Sequence, residues 1–321
     1  MSNRFLKHSK VEIPIIGGAM YPCSNPELVA AVSEAGGLGV IQPITLQLVH
    51  GLSLPEGIQK IRALTQKPLA LNVLTEKSAK IYQKRMEKAV EEALEHGIRF
   101  FVTYLGKPDW VVKKVKPHGG IVYHDLTTRE VAKKVADQGV DGLICVNRAA
   151  GGHAGDASLE ALYDQLKDLG LPCVAAGGIS TPAQYRHALK IGYEAIQMGT
   201  RFIATQECQA LSEYKQAIVN AKAKDITLTW RVTGVPLAVI KTPYVEAVGT
   251  EAGWLARKLL KGRKTKHWVR LFYSIRSLFK LRNSSIRKAS SADYWQAGQS
   301  VEGIDQIESV SEVFHRFTEK A

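Results

Sequence analysis

The ten residues "NRAAGGHAGD" at 147–156 set one titratable ring, His153, among glycines at 151, 152 and 155. Glycine lets backbone come close to a ligand. A neutral imidazole can take or hold a proton near pH 7. Together they suit a loop that passes over a flat ligand and offers a base to whatever reacts there. Two further glycine stretches, "AAGGIS" (175–180) and "QMGTRF" (197–202), expose backbone N–H groups, and Thr200 adds a hydroxyl donor. Donors of that kind suit a phosphate. "GGAMY" (17–21) offers backbone to a flat ring, and Asn72 in "LNVL" is a lone amide among apolar residues. An amide can serve both donors and acceptors on a heterocycle edge. His124 in "GIVYHDL" is a second candidate for the same face, against the plainer reading of a ring bonded to a neighbouring carbonyl.

The other seven histidines fall on helical patterns, helix ends or the terminal stretches. HExxH, GxSxG, Walker and strand-linked GxGxxG patterns are missing, so no metal is expected and any nicotinamide would bind without a Rossmann fingerprint.

Eight short, nearly continuous apolar runs must carry these groups: 11–19, 38–42, 69–74, 99–105, 120–126, 141–147, 172–178 and 193–199. Such runs read as strands buried on both faces. Amphipathic patterns lie between them. "NPELVAAVSEAGG" has an Asn cap, Pro at the first helical position and a Gly stop, and "TPAQYRHALKIG" opens on Thr-Pro. An eighth helix is expected near 212–221. Eight βα units predict a closed (β/α)8 TIM barrel, with a doubly wound open sheet as the alternative. In such a barrel chemistry sits at the C-terminal ends of the strands, and phosphate sites often follow strands 7 and 8. The glycine stretches above fall there. The reading assigns 1–221 to the barrel and 222–321 to a partly helical lobe that covers its mouth.

The bulk numbers exclude some classes. The chain has 321 residues, 45% of them hydrophobic and 23% charged, which describes an ordinary soluble protein. No apolar run approaches the ~20 residues needed to span a bilayer. The opening "MSNRFLKHSK" lacks the apolar core of a secretory signal. Four dispersed cysteines fit reduced thiols, and the expected location is cytoplasmic. The net charge of +13 is local, because 12 of the 43 Lys and Arg lie between Ala252 and Ala292, where no Asp or Glu occurs. That basic segment, 257–288, carries an apolar stripe at helical spacing: Trp268, Leu271, Phe272, Ile275, Leu278, Phe279 and Leu281. It can pack on the barrel or in a homodimer, lie on an anionic membrane, or meet an acidic protein. Nucleic acid is not expected, since no binding motif accompanies the charge.

Taken in order, "PIIGGAM", "LVAAVSEAGGLGVI", "LNV", "AAGGHAG", "AAGGI" and "GTRF" resemble the nitronate monooxygenase (2-nitropropane dioxygenase-like) family, which includes the flavin-dependent enoyl-ACP reductase II. The resemblance covers residues 11 to about 205, and "WQAGQS" (295–300) is similar to a flavin-side motif of that family. It implies a TIM barrel that binds FMN. Ala19 and Met20 would then touch the isoalloxazine, and Asn72 its polar edge or the phosphate chain. Ala150, Gly151 and Gly152 would pass over the flavin. Gly177, Gly178, Gly199 and Thr200 would hold the phosphate, Gly298 and Gln299 would close the site, and His153 matches the active-site histidine. One departure stands out. An acidic residue is common just before the Ala-Gly-Gly-His run, and here Asn147, Arg148 and Ala149 stand instead. Arg148 would favour an anionic substrate if it faces the mouth.

Three functions follow as expectations. The first is oxidation of an alkyl nitronate with O2, with His153 as base or anion holder. The second is an enoyl-thioester or other NAD(P)H-dependent acceptor reductase on the same scaffold. The third is a membrane-surface or partner-binding barrel without this chemistry.

Overall fold

The computed structural model describes residues 3–76, 80–232, 235–251, 277–287 and 293–319. Eight parallel strands close into a barrel in chain order: β1 Ile15–Gly17, β2 Leu38–Ile41, β3 Leu69–Thr75, β4 Phe100–Gly106, β5 Ile121–Leu126, β6 Gly142–Val146, β7 Cys173–Ala176 and β8 Ala195–Met198. β1 pairs with both β2 and β8, so no edge is left open. Each strand falls on one of the eight apolar runs, β3 and β4 running one residue past theirs. Both faces of a barrel strand are buried, which is why the runs are continuous rather than alternating.

Alternate residues face the axis. Ile16, Val40, Ala70, Val102, Tyr123 and Val174 belong to the cluster that fills the barrel. Their strand neighbours, such as Ile15, Leu71, Phe101 and Val122, join the larger cluster between the sheet and the helices. The N-terminal helix Arg4–Ser9 plugs the floor, with Phe5 edge-on to Phe100 and Tyr123. Asn3 caps it, and Arg4 pairs with Glu194 at 2.7 Å.

The helix after β1, Pro26–Glu34, and the helix after β7, Pro182–Ile191, begin at the Asn-Pro and Thr-Pro signals read from the sequence. Thr181 and Gln184 close a capping box there. A helix does form at Ser212–Asn220, but it does not complete the ring. Its Tyr214 stacks on Trp295 at 5.6 Å, and the Tyr214 hydroxyl donates to the Gln296 carbonyl. The place between the first and seventh peripheral helices goes to the last helix of the chain, Val310–Thr318. Phe314 stacks on Phe202 at 6.0 Å, and Phe317 meets Tyr185 at 5.8 Å.

Residues 204–309 therefore form an excursion between the last strand and the last helix. The excursion contains an antiparallel hairpin, β9 Ile226–Thr229 with β10 Leu237–Ile240, and the helix Pro243–Val248. Residues 277–285 are helical, and their Leu281 is buried with Val232, Leu237, Val239 and Tyr294. Phe279 beside it is 49% exposed. Most of the basic segment, including Trp268, Leu271, Phe272 and Ile275, lies outside the described residues. Among the described residues no helix is long and apolar enough to cross a membrane.

Candidate active site

The loops after β1, β6, β7 and β8 meet at one end of the barrel. The Gly18 N–H donates to the Met198 carbonyl at 2.9 Å, which brings the first and last strands together. Ala19 rests on the barrel-filling cluster. Met20 lies against Gly199, where an added Cβ would come 3.3 Å from its Sδ. Gly177 and Gly178 have φ of 110° and 75°, a region side chains avoid. An added Cβ at Gly177 would meet the Ala150 nitrogen and Asn147 Oδ1 at 2.7 Å. Gly199 opens the short helix Thr200–Ile203. The Thr200 oxygen accepts from the Gly298 N–H at 3.0 Å, which leaves its own proton to donate.

The 147–156 loop is held at many points. The Asn147 amide donates to the Gly177 carbonyl at 2.9 Å, and its Oδ1 accepts from the Ala149 N–H at 2.7 Å. Its backbone carbonyl accepts from Ala150 at 3.2 Å and Gly155 at 3.3 Å. The excursion grips the loop from the other side. Gly152 bridges Ala238 of β10, whose N–H donates to the Gly152 carbonyl at 2.8 Å. Gln299 donates from its backbone to the Ala149 carbonyl at 2.9 Å. Gly151 and Gly298 face each other so closely that a Cβ on Gly298 would sit 2.5 Å from the Gly151 nitrogen. Gln296 ties the same segment to the Tyr21 carbonyl at 3.2 Å.

His153 follows directly on this clamp. Its side chain is open to solvent, while the atoms packed around the ring lower its pKa below 6.5, so the ring is neutral near pH 7. Arg148 is exposed, and its backbone N–H donates to Ala157 at 2.9 Å. Asn72, two residues on from the axis-facing Ala70, looks into the barrel and is 5% exposed. His124 does not reach the mouth. It shares the outer face of β5 with Val122, and its Nδ1 lies 2.8 Å from Thr103 Oγ1. Burial pushes that ring down to about 4, so it is neutral too.

Four polar groups on the inward face are marked by no motif of their own in the sequence. Gln42, just past β2, is hydrogen-bonded to Tyr104 of β4, and burial pushes the Tyr104 hydroxyl up to about 12. Asp125 of β5 and Gln197 of β8 each keep one side-chain oxygen, Oδ1 and Oε1, shut from solvent and unpartnered among the described residues. Period-two counting from Tyr123 and Ala195 would have found both, since these residues face the axis. Among the described residues no group of three or more His, Cys, Asp or Glu is placed to hold a metal.

An aromatic heterocycle with a phosphate tail fits this donor set. Three glycine positions leave room and free backbone at the ends of β7 and β8, and orphaned oxygens line the barrel below.

Comparisons with known proteins bear on what occupies such a site. A family model described as nitronate monooxygenase matches residues 2–320. A Mycobacterium tuberculosis protein named (3aS,4S,5R,7aS)-5-hydroxy-7a-methyl-1-oxo-octahydro-1H-indene-4-carboxyl-CoA dehydrogenase is 30% identical over 251 residues, covering 77% of this chain and 68% of its own. A Pseudomonas aeruginosa nitronate monooxygenase is 30% identical over 278 residues, covering 73% of this chain and 78% of its own. FabK from Thermotoga maritima superposes with a TM-score of 0.81 at 26% identity, over 99% of this chain and 95% of its own.

Proposed function

The chain belongs to the nitronate monooxygenase family, and on that premise we propose that it is an FMN-dependent oxidoreductase that oxidises alkyl nitronates with O2. The observation that carries the reading is His153: a neutral, solvent-accessible imidazole on a clamped glycine loop, next to the glycine turns after β7 and β8. Gly177, Gly178, Gly199 and Thr200 would hold the phosphate. Ala19, Met20, Asn72 and the 150–152 backbone would surround the ring, with Gly298 and Gln299 closing the site from the excursion. FMN bound there would supply two-electron redox chemistry.

The chain's own part is proton handling and exclusion of water. A neutral nitroalkane has an acidic α-carbon that loses its proton slowly, and His153 Nδ1 or Nε2 can accept it. The resulting imidazolium then lies beside the nitronate anion and holds it by charge. Activity on the neutral nitroalkane needs unprotonated His153. It should therefore rise with pH through a midpoint below 6.5 and stay level above it. His153→Asn should lower turnover of the neutral nitroalkane by about 10²–10⁴ and spare the preformed nitronate. Full turnover of the neutral substrate by that variant, with FMN bound, would remove His153 from the base role.

A second reading is a reductase or dehydrogenase of acyl thioesters, with a nicotinamide as electron partner. Two observations favour it. One relative is named a carboxyl-CoA dehydrogenase. Leu105, at the end of β4, is 56% exposed and held at a φ of 52°. An apolar side chain at a strand end would suit an acyl chain better than a small nitronate. Anaerobic absorbance spectra of the purified yellow protein separate the two. Bleaching by NADH or NADPH favours the reductase, and bleaching by a nitronate alone favours the monooxygenase.

A further inference from the structure

The inward residues at the strand ends form a polar layer above an apolar one. Below lie Val40, Ala70, Val102 and Tyr123. One pleat further along the same strands come Gln42, Asn72, Tyr104 and Asp125. Gln42 and Tyr104 satisfy each other across β3. Asp125 has no such partner: its Oδ1 is shut off from solvent and takes no hydrogen bond among the described residues.

A carboxyl oxygen shut from solvent without a donor is costly for the fold alone, since an unmet polar group loses its water and gains nothing. Position and chemistry together point upward, to whatever fills the mouth. We propose that Asp125 is a ligand-facing residue that, in its protonated form, donates its carboxyl O–H to an acceptor on the bound heterocycle. The assignment rests on the FMN reading above, and it adds a proton-dependent gate to cofactor retention.

The electrostatic surroundings support this. Burial pushes the Asp125 carboxyl up to about 7, and among the described residues no basic group stands close enough to pull it down. The titratable groups on the elements around it are Tyr104 on β4, Cys145 on β6 and, past the end of β3, Glu76. Tyr104 and Cys145 are both raised by burial and stay uncharged near neutrality. In the loop after β6 stand His153, neutral near pH 7, and the exposed Arg148. His124, next in sequence, turns to the outer face. Asp125 is therefore the inward-facing acid whose charge changes near neutral pH.

The sign follows from linkage. If the ligand binds only the protonated acid, its Kd rises about tenfold per pH unit once pH exceeds the acid's own pKa. FMN binding can be followed by quenching of flavin fluorescence from pH 6.5 to 9, on wild-type protein, Asp125→Asn and Asp125→Ala. Asp125→Asn keeps the shape and an N–H donor but cannot ionise. It should bind FMN with a flat profile where the wild-type Kd climbs. Asp125→Ala loses the donor, so it should bind at least tenfold more weakly than wild type at pH 6.5, again with a flat profile. It also removes an unmet buried group, so it provides the test if the Asn variant does not fold. Titration of the FMN phosphate or of His153 appears equally in all three proteins and cancels. A wild-type slope shared by both variants overturns the assignment alone. Absence of FMN binding to wild-type protein at every pH overturns the flavin reading itself.

Discussion

Asn147 shows how one amide can build a site without touching the chemistry. It is buried, it accepts from the Ala149 N–H, and it donates to the Gly177 carbonyl. One side chain thus fixes the start of the His153 loop and ties it to the turn after β7. An aspartate would keep the acceptor and lose the donor, leaving a carboxylate against a carbonyl oxygen. Asn147→Asp should cost about 1–3 kcal/mol of stability, the usual penalty for leaving a buried partner unmet. FMN should bind correspondingly more weakly, because the Gly177 turn is set by the lost bond. Thermal melting and FMN titration on the same sample check this, and a variant that matches wild type in both would remove Asn147 from the role. The substitution tests the position where the sequence departs from its family pattern. The departure carries geometry here, while Arg148 next to it is exposed.

Among the elements, the joint between the barrel loop and the returning chain is a close backbone-to-backbone contact. Gly298 presses on the 149–151 backbone, where a Cβ would lie 2.6 Å from the Ala149 oxygen and 2.8 Å from the Ala150 carbonyl carbon. Backbone cannot swing aside as a flexible side chain could, so Gly298→Ala must push the two segments apart. Overpacking of this kind costs about 1–3 kcal/mol. The expected result is a lower melting temperature and, on the proposal of an FMN enzyme, less flavin in the visible spectrum. Retained yellow colour at unchanged stability would show that the joint tolerates the methyl group. The eight strands themselves were legible in the sequence, because strands buried on both faces make continuous apolar runs. Those runs do not say which residues face the axis. A one-residue shift exchanges the two faces, and so His124 stands as a candidate for the mouth beside the plainer reading of a bonded strand-end ring, when its neighbour Asp125 is the inward residue. The glycine loops were legible as a site because positive φ and close approach leave few other residues to choose.

For the molecule as a whole, the barrel is not a contiguous stretch of chain. Local pattern suggests an eighth helix at 212–221, and a helix does form there, but periodicity says nothing about where a helix docks. The ring is closed by Val310–Thr318, more than a hundred residues after β8. Buried charge fixes that return. Arg201, fully buried in the short helix after β8, pairs with Glu308 at 3.1 Å, and Glu308 also takes Arg316 at 2.6 Å. Beyond it, Phe314 fills the space over Gly37, where an added Cβ would come 2.5 Å from its ring. A chain ending at residue 221 would lack the closing helix. It would bare Phe202 and the groove between Pro26–Glu34 and Pro182–Ile191, and take from Arg201 its partner Glu308. Breaking such a pair costs about 3–5 kcal/mol, and a bared core surface adds to that. The loss is comparable to the whole stability of a typical domain, about 5–15 kcal/mol. Residues 1–221 should therefore fail to give a cooperative melt or should aggregate. Phe314→Ala in the full chain separates packing from truncation. It should lose about 3–5 kcal/mol and still fold, because the Arg201–Glu308 pair remains. A soluble 1–221 fragment with a sharp thermal transition would show that the barrel closes without its last helix.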